Sequence, residues 1–241
     1  MSAARLVVKG LSKTYADVPV LSDISLTVRD GEFASIIGPN ASGKSTLLKI
    51  CAGVRVPTEG VVECEKPAYM PQDHALLPWR TVLENLYLPS DVAGIPRARV
   101  RTKITDLLQE FGLAQYADFY PAALSGGTRQ KIALLRTVLQ NNSLLLLDEP
   151  FASLDALTRT EAHRWLQTLV QKSRESALLV THDIREALFL SDTIYVLGGH
   201  PSRVREVFTV PFPRPRTHAQ LLEREALALE NKLFALLSET V

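Results

Sequence analysis

Gly38, Pro39, Asn40, Ala41, Ser42, Gly43, Lys44 and Ser45 follow one another in the order G-x-x-x-x-G-K-[ST]. These residue types suit a phosphate. Glycines let backbone N–H groups turn inward around phosphate oxygens, and a helix starting at Lys44 adds the partial positive charge of its N-terminus. Lys44 would reach the terminal phosphates, the Ser45 hydroxyl would ligate Mg2+, and Thr46 carries the binding set into the helix. A flexible Gly/Ser turn is the competing explanation. It is weak, because the loop falls after a predicted strand and before a predicted helix.

A metal beside that loop needs a carboxylate, and Leu144-Leu145-Leu146-Leu147-Asp148 ends an apolar run in one. Asp148 would approach Mg2+ from the carboxyl end of a strand, the crevice where open α/β sheets bind ligands. Glu149 follows at once, on the opposite side, and could polarise a water aimed at a γ-phosphate. Ser125-Gly126-Gly127 leads into an apolar-periodic helix, a second N-terminus able to meet an anion, with an ordinary serine cap as the plainer alternative.

The rest of the chain must position these groups. Its 241 residues can bury a large core, and 46% apolar with 22% charged residues is ordinary for a globular protein. With 27 basic and 26 acidic residues the net charge is +1, without the basic excess of a nucleic-acid binder. The cluster Arg97, Arg99, Arg101 and Lys103 reads as a solvated helix face. Cys51 and Cys64 lack metal-site spacing and read as thiols of a reducing compartment. No secretory signal and no bilayer-spanning run is expected.

Strands are predicted around 6–8, 25–28, 33–37, 61–62 and 68–70, with a helix after Gly43 closing at Gly53. Thr81 and Glu84 have capping-box spacing, and Arg97–Phe111 is an amphipathic helix. Strands at 144–147, 177–180 and 193–197, with helices opening at Asp155 and Asp183, imply a parallel sheet with crossover helices. Leu222, Ala226, Leu229, Leu233 and Leu237 give the last helix an apolar stripe, best explained by core packing.

Together the motifs resemble the nucleotide-binding subunit of an ABC transporter over essentially the whole chain. Gly38–Ser45 resembles that family's Walker A loop, Leu144–Asp148 its Walker B strand and Ser125–Gln130 its signature, in family order. The resemblance implies an α/β P-loop NTPase fold: an ABC ATPase core with an N-terminal antiparallel β portion and an inserted, mainly helical subdomain. The core would comprise about 1–88 and 140–241 and the helical part about 89–139, one nucleotide-binding domain in all. It also implies roles for Gln72 (the Q-loop glutamine), Ser153-Leu154-Asp155 (the D-loop), His182 (the switch histidine) and Tyr15 (stacking on adenine). Glu149, His182 and Gln72 are then the catalytic set; Ser45, Gln72 and Asp148 the metal set; and ATP with Mg2+ the bound species. Two copies would face head to tail, with Ser125, Gly126 and Gly127 of one closing on the γ-phosphate held by the other.

Leu76–Leu86, Thr181–Ala187 and Pro211–Arg216 resemble the branch importing nitrate, sulfonates, taurine and related small solutes. That implies membrane-spanning permease subunits, contacted through Leu77, Pro78 and Trp79, and an extracytoplasmic solute-binding protein. The chain would sit on the cytoplasmic face of the inner membrane, held there by the permease. A Trp79 buried to fix a turn is the equal alternative. Thr128, Pro71 and Thr137 depart from the branch's usual residues, and the stretch from Gly60 to Gln72 is short; none removes a catalytic group. The rival readings are a soluble ABC ATPase acting on nucleic acid or a macromolecular assembly, and an ABC exporter subunit.

Overall fold

The structure, a computed structural model, describes residues 3–73, 75–140, 142–173 and 175–238. At the start, apolar and polar residues alternate, which suits a sheet with one covered face. Strands β1 (Ala4–Tyr15) and β2 (Val18–Arg29) form an antiparallel hairpin. It turns at Ala16 and Asp17, both at positive φ (42° and 71°), the pairing a tight two-residue turn requires. Leu6, Val8, Leu26 and Val28 point into the core.

The next strand, β3 (Phe33–Ile37), is buried at every position and feeds the phosphate loop and helix α1 (Lys44–Cys51). β4 (Glu59–Cys64) joins the hairpin as its third strand, in the order β2-β1-β4, and β5 (Ala68–Met70) starts the edge of the central sheet. Helices α2 (Val82–Val92), α3 (Arg97–Glu110) and α4 (Gly126–Val138) follow. Thr81 and Glu84 make the anticipated capping box, so α2 starts ahead of Pro89 and runs through it. Val82, Leu86, Ile104, Leu108, Ile132 and Leu135 give these helices an apolar cluster of their own.

The remaining chain alternates: β6 (Leu144–Asp148), α5 (Ala156–Ser173), β7 (Ser176–Val180), α6 (Ile184–Leu190), β8 (Thr193–Gly198), β9 (Arg203–Thr209) and α7 (Arg224–Ser238). The central sheet has the order β5-β6-β7-β3-β8-β9, parallel except for β9. β9 was not anticipated; it exposes alternate residues, as an antiparallel edge strand does. The continuous apolar runs are explained by cover on both faces. Leu144 and Leu146 face α1 and the three-stranded sheet, while Leu145 and Leu147 face α5, α6 and α7.

At the end of the chain the predicted stripe needs a correction. Leu233 and Ala226 are buried, but Leu222 lies before α7 and is 70% exposed, and its neighbour Leu221 enters the core instead. A short 3-10 turn at Gln220–Leu222 breaks the helical phase there.

Candidate functional site

The carboxyl ends of β3, β6 and β7 converge on the 38–46 loop. Its glycines are sterically required. A Cβ on Gly38 would lie 2.8 Å from the Leu197 carbonyl oxygen. On Gly43, at φ +82°, a Cβ would lie 2.8 Å from Leu21 Cδ2 and 2.9 Å from Val20 Cγ1. Inside the loop, Lys44 Nζ donates to the Gly38 and Pro39 carbonyls at 2.9 and 2.7 Å. Those bonds use two of the ammonium's three donors and leave the third for a ligand. Burial pushes the Lys44 ammonium down from its ordinary value, and the Glu149 and Asp148 carboxylates oppose that shift.

Ser45 Oγ donates to Asp148 Oδ1 at 2.8 Å. Asp148 is wholly buried at the end of β6, and its Oδ2 has no hydrogen-bond partner. Burial pushes its carboxyl up, opposed by the Ser45 hydrogen bond and by Lys49 and Lys44. Burial first, and the nearby Asp148 carboxylate second, push the Tyr69 hydroxyl up from its ordinary value. A buried anionic oxygen left without a donor is costly unless a cation meets it. An anionic oxygen beside a serine hydroxyl is the oxygen donor set that Mg2+ takes. The residues therefore fit the metal.

Glu149 stands at φ +47°, a left-handed conformation that costs a non-glycine residue about 1–3 kcal/mol. Its N–H donates to the Val180 carbonyl at 2.9 Å, and its own carbonyl accepts from Gln130 Nε2 at 3.2 Å. The result puts its carboxylate on the cleft, where Oε2 lies 3.3 Å from His182 Nδ1. His182 is placed by the end of β7, and Asp183 caps α6 by accepting from the N–H groups of Arg185 and Glu186. Glu186, three residues after Asp183 as a capping-box partner would be, does not complete such a box. Glu186 turns inward, 4% exposed, and accepts from the Thr181 hydroxyl at 2.6 Å.

These groups line one open cleft of about 530 Å3: Asn40 through Thr46, Gln72, Glu149 and His182, with Val20 as an apolar wall. Val20 had no signal in the sequence, since it is a hairpin residue brought there by the register of β2. Tyr15 lies outside that lining. Lys13 Nζ and Arg55 Cζ stand 5.0 and 5.6 Å from its ring centroid, a cation–π grouping near the hairpin tip.

Ser125, Gly126 and Gly127 are also absent from this lining. Ser125 caps α4, its Oγ accepting from the Thr128 N–H at 3.2 Å and sharing a 2.9 Å hydrogen bond with the Thr128 hydroxyl. A Cβ on Gly126 would meet nothing within 4 Å, whereas one on Gly127 would press on Leu154 at 3.1 Å. Space inside the chain does not demand glycine at 126. Ser125 itself is exposed, at the N-terminus of α4.

Comparison with known proteins gives the family. Residues 21–152 match the family model described as ABC transporter. The chain is 40% identical over 226 residues to the formylaminopyrimidine import ATP-binding protein of Halalkalibacterium halodurans, covering 92% of this chain and 91% of that one. It is 42% identical to an aliphatic sulfonates import ATP-binding protein of Rhodococcus jostii, over 86% of this chain and 84% of the other. Among solved structures, the dimeric post-hydrolysis state of an ATP-binding cassette bound to ADP and Pi superimposes with a TM-score of 0.78 at 27% identity. That match covers 86% of this chain and 100% of the cassette.

Proposed function

Because the chain belongs to the ABC transporter family, as an ATP-binding protein, we propose that it hydrolyses ATP between two copies of itself to drive uptake of a small solute. Sulfonates and formylaminopyrimidine, named for its relatives, set the chemical range. One observation carries the reading: the phosphate cradle and the Glu149 carboxylate line one cleft, with Ser45 of that cradle bonded to the buried Asp148, while Ser125 is not part of the lining.

Lys44 holds the terminal phosphates, and Ser45, Asp148 and Gln72 hold the metal. Mg2+ bound there supplies charge neutralisation to the β- and γ-phosphates. Glu149 accepts the proton of the attacking water, and His182 fixes that carboxylate and the γ-phosphate. Ser125 and Gly127 of the second copy donate to the same phosphate, which makes closure of the dimer depend on ATP. Tyr15, at the hairpin edge, is the platform for the adenine. The expected result is ATP turnover that vanishes on chelating Mg2+ and whose rate per chain rises with chain concentration. Turnover independent of both would exclude this reading.

Coupling to a membrane partner is assigned to Leu77, Pro78 and Trp79. Trp79 is 70% exposed and does not hold its own turn. Asn85 does that: wholly buried, it donates to the Leu77, Arg80 and Thr81 carbonyls at 3.1, 3.1 and 2.9 Å and accepts from the Leu77 N–H at 2.8 Å. A rigid turn presenting a large aromatic is the form of an interface anchor. No helix among the described residues is long and apolar enough to cross a membrane. Its likeness to import ATP-binding proteins supports placing the chain at the cytoplasmic face, held there by permease subunits that receive solute from an extracytoplasmic binding protein. Trp79→Ala should leave ATP turnover of the isolated chain unchanged and weaken its binding to the permease by ~30-fold, the loss of one hot-spot residue. Titration of the chain onto the permease in detergent measures it, and unaltered affinity would remove Trp79 from the interface.

A further inference from the structure

Gln130 is a polar side chain only 2% exposed, in the second turn of α4. Its Nε2 donates to the Glu149 carbonyl at 3.2 Å, and its Oε1 accepts from the Ser153 hydroxyl. Chemistry fixes the direction of that amide. A carbonyl only accepts, so the amino end must face Glu149 and the oxygen is left for Ser153. The Glu149 backbone, strained at φ +47°, is thus held from the core side by Val180, within its own turn by the Ala152 N–H at 3.3 Å, and from the helical side by the Gln130 side chain.

The helix bearing Gln130 begins at Ser125 and Gly127, five and three residues earlier, about 8 and 5 Å along its axis. We propose that Gln130 is a positioning residue that ties the signature helix to the carboxylate of its own chain's site. The element that completes the partner's site then also aims the base of this one. This rests on the reading of Glu149 as base and of Ser125 as a contact across the dimer. Simple packing is the competing role, since Gln130 also borders a cavity of about 150 Å3 between α4, α5 and Pro150–Leu154. Methionine, similar in length and volume, would serve packing equally and offers no N–H.

Gln130→Met is expected to lower kcat ~10–100-fold, the scale of a misplaced catalytic group, with KM for ATP and the affinity for a fluorescent ATP analogue changed less than ~3-fold. Ser153→Ala, which removes the donor orienting the amide, is expected to lower kcat less, again with nucleotide affinity kept. In the double variant the loss should equal that of Gln130→Met alone, because the two side chains act as one unit. Turnover within ~2-fold of wild type in Gln130→Met, or losses that multiply in the double variant, would overturn the proposal. If Gln130→Met fails to fold, Ser153→Ala decides it: unchanged kcat overturns the proposal and reduced kcat at constant affinity supports it. Glu149→Gln run alongside separates the two readings. Full turnover there refutes the base assignment, whereas an inactive Glu149→Gln beside an active Gln130→Met refutes only the role of Gln130.

Discussion

Glu149→Gln is expected to lower ATP turnover by ~10^3-fold, within the 10^2–10^4 range of a general base, while the chain still binds Mg-ATP. The substitution keeps the side chain's shape and removes only its capacity to take a proton. No hydrogen bond of the phosphate cradle runs to the Glu149 side chain: Lys44 bonds to loop carbonyls, and Ser45 to Asp148. What changes is the group 3.3 Å from His182 Nδ1 at the mouth of the cleft. Glutamine retains an oxygen that can accept from that imidazole, so His182 should keep its place. Phosphate release in single-turnover conditions measures the effect, with equilibrium binding of the nucleotide as control. Turnover near that of the unaltered chain would assign the base elsewhere.

Lys44→Ala should act earlier, on binding itself. Lys44 is 5% exposed, and its ammonium is charged at the bottom of a closed loop. Hydrogen bonds to charged groups contribute ~1.5–3 kcal/mol each, so losing the one to a phosphate should weaken ATP affinity by ~10–100-fold. Hydrolysis should fall further, because the same ammonium meets charge that develops on the γ-phosphate. Alanine also leaves the Gly38 and Pro39 carbonyls without their donor, so the loop should loosen as well. Isothermal titration with a non-hydrolysable ATP analogue distinguishes the outcomes. Retained affinity with lost turnover would confine Lys44 to the transition state.

Much of this site was legible because its determinants are local. Gly38, Gly43, Lys44 and Ser45 lie in one loop whose spacing is the chemistry, and helix starts at Thr81, Asp155 and Asp183 are carried by caps within three residues. The buried strands announced themselves through unbroken apolar runs. Features set by distant partners were not legible. β1 and β2 are 12 residues each, far longer than their apolar cores suggested, because register shifts near Gly10 and Asp23 let irregular segments stay paired. β9 and Val20 are placed by neighbouring strands. Asn85 and Gln130 look like ordinary helix-surface amides until the turn at Leu77–Arg80 and the Glu149 carbonyl close on them. Tyr15 is named by resemblance alone; no local spacing marks it, and it stands between Lys13 and Arg55, outside the cleft lining.

The central claim is that one chain holds the phosphates and a second copy completes the site. Sedimentation of the Glu149→Gln chain with and without Mg-ATP tests it most directly. The expected result is monomer alone, dimer with one ATP per chain when nucleotide is present, and monomer that still binds ATP once Ser125→Arg is added. A Ser125→Arg chain that dimerises on ATP as before, or an unaltered chain that hydrolyses ATP at full rate while sedimenting as monomer, would contradict it.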